Sequence, residues 1–152
     1  MKRTFTPLGI AVFTWATFAG GAETPTPIGP SNVGNHINNR GLHESFAAAD
    51  TMIMLGCSEK LHIPIKDPSG YSEIEVATMK ACVHSTTNAI GAAMQAAFAS
   101  GEIPQIKGGD FAVDQAAAFL RQNSAGARSM DIGQLVREAK AKGRQLRPFK
   151  PE

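Results

Sequence analysis

The side chains of this chain with the most distinctive chemistry are two cysteines, Cys57 and Cys82. Their separation is too wide for a CxxC redox pair, and two thiols supply only half of a structural zinc site. In an oxidising compartment an isolated pair of this kind most simply forms one disulfide. Closing that loop contributes on the order of 3 kcal/mol, mainly by restricting the unfolded chain. The four histidines, His36, His43, His62 and His84, include no HExxH and no Cys or carboxylate at metal-ligand spacing. Ser85 follows His84, but adjacent helical residues point in different directions and no GxSxG elbow is present. Gly108-Gly109 is not followed by Gly-Lys-Ser/Thr, so it reads as a flexible turn and not as a phosphate loop. The expectation is a protein without catalytic residues, cofactor or metal.

The compartment is read from the first 22 residues. Lys2 and Arg3 precede an uncharged apolar run over residues 8–18, and small residues at Gly20 and Ala22 fit cleavage after Ala22. The run is too short to span a bilayer. This is the pattern of a secretory signal, and it predicts a periplasmic protein. The 15 Lys and Arg slightly exceed the 13 Asp and Glu, but removal of Lys2 and Arg3 leaves the mature chain neutral. A neutral chain lacks the electrostatic footprint of a nucleic-acid binder and the acidic excess of a disordered tail protein.

With 152 residues, 43% of them hydrophobic, the chain suits one domain with one core. Alanine is abundant and β-branched runs are missing, which favours helices. After the leader, prolines fall only at 25, 27, 30, 64, 68, 104, 148 and 151, so the stretches between them are the candidate helices. Residues 23–37 read as a flexible arm.

The first helix is predicted over 39–57, with Leu42, Phe46, Ala49 and Ile53 on its apolar face and Glu44, Ser45 and Asp50 opposite. Ser72 and Glu75 form a capping-box signal for the second. Its stripe is Met79, Cys82, Thr86, Ile90, Ala93, Met94 and Ala97, and it ends near Ser100-Gly101. Ala89, Ala92, Ala93, Ala96 and Ala97 face either a second copy of the chain or its own core.

Asp110 is the predicted cap of a third helix carrying Val113, Ala116, Ala117 and Leu120, which residues 123–127 interrupt. Ser129 is the predicted cap of a fourth helix, with Ile132, Leu135, Val136 and Ala139 on its buried side and Gly143 at its end. The third and fourth helices are expected to form an αα-hairpin lying across the first pair. The whole is a small all-α domain of four helices with one disulfide, spanning 38–143, with a flexible, solvated tail over 144–152.

This order of leader, Cys57, Cys82, Phe111-Ala-Val-Asp-Gln115-Ala-Ala-Ala-Phe119-Leu-Arg-Gln-Asn123, Ala127-Arg128-Ser129-Met130 and Gln134-Leu-Val-Arg-Glu-Ala139 resembles the periplasmic immunity proteins of type VI secretion amidases, the Rap and Tai group. The resemblance covers residues 40–142 and is most specific in the third and fourth helices. It implies a small all-helical protein, often dimeric, that plugs the active-site groove of a peptidoglycan amidase. A second disulfide found in many members is absent: its two positions fall in Glu102-Ile103-Pro104 and Gln145-Leu146-Arg147-Pro148.

The expected partner is therefore a secreted cell-wall amidase, with a homodimer implied and no nucleic acid or membrane involved once the leader is removed. A blocker needs a segment that costs little to order and carries polar groups. Residues 101–110 fit, with Pro104 limiting their freedom and Glu102, Gln105, Lys107 and Asp110 as contacts. Residues 62–71 compete, with Tyr71 as a candidate anchor. Two other classes suit the same features: a small acid-stress chaperone or binding module of the periplasm, and an accessory subunit of an envelope assembly.

Overall fold

The computed structural model of the chain describes residues 32–143 and 145–149, with side chains from residue 41 onward. The predicted leader and residues 23–31 of the predicted arm lie outside the described residues. Four helices form the framework: α1 (Asn32–Leu61), α2 (Glu73–Ala99), α3 (Gly108–Asn123) and α4 (Ile132–Lys142). Short 3-10 turns occupy Pro68–Gly70, Gln105–Lys107 and Arg147–Phe149. No strand occurs among the described residues.

Two helix starts are set by reciprocal side-chain caps. The Ser72 hydroxyl accepts the Glu75 amide while the Glu75 carboxylate accepts the Ser72 amide. At α4 the cap is Asp131 and not Ser129: Asp131 accepts from the Gln134 amide at 2.7 Å, and the Gln134 side chain accepts the Asp131 amide at 3.1 Å. Asp131 wins because Gln134 stands three residues on, where it completes the box.

α1 is the central element. It starts at Asn32, so residues 32–37, expected in the arm, are helical. Every residue from Thr51 to Ser58 is buried, although the pattern predicted one apolar face. A helix buried all round must be covered on all sides, and α2, α3 and α4 all pack on it. Its two buried hydroxyls are satisfied locally, Thr51 donating to the Ala47 carbonyl and Ser58 to the Ile63 carbonyl. Met52, Ile53 and Met54 have no exposed surface. Burial of each such side chain contributes about 1.5–3 kcal/mol.

α3 lies along α1 through a seam of small residues. A Cβ on Gly56 would stand 2.6 Å from the Phe119 ring, and one on Gly109 would stand 3.0 Å from the Ser45 Cβ. The pairings of Gly109 with Ser45 and Leu42, and of Gly56 with Phe119 and Leu120, make the two helices run in the same direction. Between these points Ala112, Ala116 and Ala117 are fully buried. The Gly108-Gly109 pair is thus the packed start of α3 and not a flexible turn, and Asp110 sits in the first turn instead of capping it. α3 and α4 each pack mainly on α1, so the expected hairpin between them does not form.

α2 runs antiparallel to α1. Its early turns reach the far end of α1 through the disulfide Cys57–Cys82, with Cα atoms 5.9 Å apart. Its late residues Met94 and Phe98 abut Gly108, beside the start of α1. The buried line is Met79, Val83, Thr87, Ile90, Met94 and Ala97, which puts Val83 and Thr87 where Cys82 and Thr86 were expected and leaves Ala93 outside it. Ala89, Ala92, Ala93 and Ala96 are exposed, and only Ala97 of that group meets the core.

α4 buries Leu135 and Ala139, and Ile132, expected inside, is 38% exposed. The chain after Gly143 departs from expectation most. Leu146 and Phe149 are fully buried, and the Phe149 ring meets Tyr71 edge-on with centroids 4.5 Å apart. A spacing of three residues places both side chains on one side of the 3-10 turn, so the basic and proline residues between them face away.

Candidate functional site

The loop from α2 to α3 is ordered by its backbone. α2 ends on Ser100, and Gly101 adopts φ +73, where a Cβ would be strained. The Gly101 amide donates to the Phe98 carbonyl and the Glu102 amide to the Ala97 carbonyl, the two bonds of a Schellman stop. Pro104 then starts a tight turn in which the Lys107 amide donates to its carbonyl at 2.9 Å. The Gly108 amide donates to Gln105, joining the turn to α3.

The side chains of this loop are turned outward. Glu102, Pro104, Gln105, Ile106 and Lys107 are exposed. Lys107 and Asp110 form an ion pair at 3.1 Å, with 61% and 65% of their side chains exposed. Four of the five residues expected to contact a partner, Glu102, Gln105, Lys107 and Asp110, therefore share one surface segment. Ile106, not singled out from the sequence, stands among them with 59% exposure. The available signal was an isoleucine enclosed by proline, glutamine, lysine and glycine, where no helical stripe accounts for it.

Tyr71 is placed elsewhere and faces inward. Its hydroxyl accepts the Lys66 amide at 2.8 Å, and its ring packs on Phe149 with the Lys66 ammonium 5.2 Å from its centroid. The same ammonium pairs with Glu75 at 2.7 Å. That bond, with the Ser72 amide, lowers the Glu75 pKa to about 2. These contacts tie the loop before α2 to the helix it precedes.

Among the described residues no three His, Cys, Asp or Glu side chains converge to hold a metal ion. No helix among them is long and apolar enough to cross a membrane. A shallow furrow runs over the first half of α1 between α3 and α4, and Asp110 joins it to the loop. Comparison of the chain with protein families, characterised proteins and solved structures finds no match.

Proposed function

We propose that this chain is a periplasmic immunity protein that binds a secreted peptidoglycan amidase and blocks its active-site groove with the loop between α2 and α3. The observation that carries the reading is Ile106, a large apolar side chain held in solvent at the tip of a loop whose backbone is already fixed. A pre-ordered segment loses little conformational entropy on binding, and an exposed apolar residue ringed by Glu102, Gln105 and Lys107 has the make-up of an interface anchor with a polar rim. The disulfide suits an oxidising compartment. Neither the loop nor its surroundings need to do chemistry, because inhibition requires only that substrate be excluded.

The test is to direct a secreted peptidoglycan amidase, sought first among the products of neighbouring genes, to the periplasm, with and without the intact protein, and to follow lysis. A second arm replaces residues 102–107 with a Gly-Ser linker and keeps Gly101, Gly108 and Gly109, which the fold requires. Protection by the intact chain and lysis with the replacement are expected. If the intact chain neither protects nor binds the purified amidase, the immunity reading fails. If the replacement protects equally well, only the assignment of the loop fails.

A further inference from the structure

The furrow over α1 sets an acidic wall against a largely apolar one. Its floor is Gly41, Ser45 and Ala48, and a Cβ on Gly41 would meet nothing within 4 Å. The α4 wall presents Ile132, Val136 and Lys140, each one turn from the next, and the α3 wall presents Asp110, Val113 and Asp114. The volume of this part is about 440 Å³. A smaller section continues toward Thr51 and Arg147, and the two share Glu44, Ala48 and Lys140. The Lys140–Glu44 ion pair at 3.8 Å stands at their boundary, and both side chains are more than half exposed. Such a pair holds weakly and can open.

Charge and apolar surface are unevenly placed. Three carboxylates, Glu44, Asp110 and Asp114, face the larger section against one ammonium, Lys140. Glu44 is bridged to Lys140 and Asp110 to Lys107, while no ion pair among the described residues holds Asp114. Asp110 and Asp114 are like charges one turn apart, an unfavourable spacing that an incoming cation relieves. Opposite them lie the side chains of Ile132 and Val136. Ile132 is one of three large apolar residues exposed among the described residues, and it lines this furrow. From Ile132 to Lys140 the wall is about 12 Å long at 1.5 Å per residue, which matches three or four extended residues.

We propose that this furrow binds a peptide segment of the partner protein in which a lysine or arginine adjoins an apolar residue. The cation lies between Asp110 and Asp114, and the apolar side chain lies on Ile132 and Val136. An acidic segment meets the carboxylates and is rejected. The source of the segment rests on the reading of the chain as a partner-binding protein, whereas its chemistry comes from the furrow.

The experiment titrates the isotopically labelled full chain with two synthetic peptides, acetyl-Leu-Lys-Val-amide and acetyl-Leu-Glu-Val-amide, and follows backbone amide resonances. The lysine peptide is expected to shift Ser45, Ala48, Val113, Asp114 and Val136, and to do so less as salt is raised. Asp114→Asn, at an exposed position, is expected to weaken this about threefold to fivefold, the scale of one exposed charge pair. The inference is overturned if the glutamate peptide shifts the same amides equally, if neither peptide shifts them, or if the shifts fall elsewhere. Because the probes are synthetic, failure here leaves the amidase protection test standing.

Discussion

The loops that follow α1 and α2 start with the same backbone device. After α1, His62 has φ +54, its amide donates to the Glu59 carbonyl, and the Ile63 amide donates to Ser58. After α2, Gly101 has φ +73, with equivalent bonds to Phe98 and Ala97. Each loop then makes one 3-10 turn before the next helix. The difference begins at the residue after the positive-φ position. Ile63 is buried, Ile65 and Tyr71 are half-buried, and side-chain bonds of Ser58 and Tyr71 hold the first loop to its own ends, while Pro64 and residues 67–70 stay exposed. Glu102 is exposed, and the second loop is held by backbone bonds and the surface Lys107–Asp110 pair. One loop ties its side chains into the core and its neighbouring helices; the other leaves most of its side chains in solvent.

The contrast breaks most severely at Phe149, the residue against which Tyr71 rests. Phe149→Ala is expected to destabilise the protein by about 3–5 kcal/mol, the usual result of emptying a buried aromatic site. Denaturant unfolding measures it. A loss under about 1 kcal/mol, the scale of surface changes, would mean that the C-terminal segment does not anchor the first loop.

Next in size is the disulfide, which fixes the end of α1 from which that loop departs. Cys82→Ser is expected to cost about 3 kcal/mol. Free-thiol labelling of the oxidised native protein is expected to find no reactive cysteine, and two reactive thiols would remove the staple from the account.

How much of this was legible depends on how local each determinant is. The Ser72–Glu75 box lies within four residues, and the sequence alone placed it correctly. The disulfide was read from compartment and count. Gly108-Gly109 was misread because glycine serves both turns and close helix contacts, and nothing nearby in sequence says that Ser45 and Phe98 press on it. The end of the chain was misread because Arg147 and Pro148 signal solvent, while the burial of Phe149 depends on Tyr71, far away in sequence. Tyr71 suits an anchor by residue type, and its contacts to Lys66 and Phe149 within the chain are set by residues that its own neighbourhood in sequence does not reveal. For the second loop the exposure of Glu102, Gln105, Lys107 and Asp110 is legible in the sequence and that of Ile106 is not, since exposure of an isoleucine is decided by what fails to pack on it.

A smaller effect sharpens the first half of the contrast through pH. Glu75 titrates near 2 in the folded chain, below its ordinary 4.5, because Lys66 and the Ser72 amide stabilise its charged form. The folded state therefore binds this proton less readily than the unfolded state. The resulting stability is fully present above about pH 4.5 and is lost as pH falls toward about 2. Glu75→Gln is expected to flatten the fall in melting temperature across that window. An unchanged pH profile in the variant would detach Lys66 and Glu75 from the anchoring of the first loop.

The smallest stability effect is expected at Ile106, and it bears most directly on function. The backbone bonds that fix the second loop run between groups of residues 97, 98, 101, 102, 103, 104, 105, 107 and 108, and none involves the Ile106 side chain. With 59% of the residue already in solvent, Ile106→Asp removes little buried area and introduces a charge that water can hydrate. Its effect on unfolding free energy is expected to stay within about 0.5 kcal/mol, as for other surface changes away from caps and cores. Binding responds differently, because an aspartate carried into an apolar contact must be desolvated without a partner. The variant is thus expected to melt with the parent and to lose both amidase binding and protection in the lysis assay. Destabilisation on the scale of Phe149→Ala would show that the second loop is also held by its side chains, and the distinction between the two loops would dissolve.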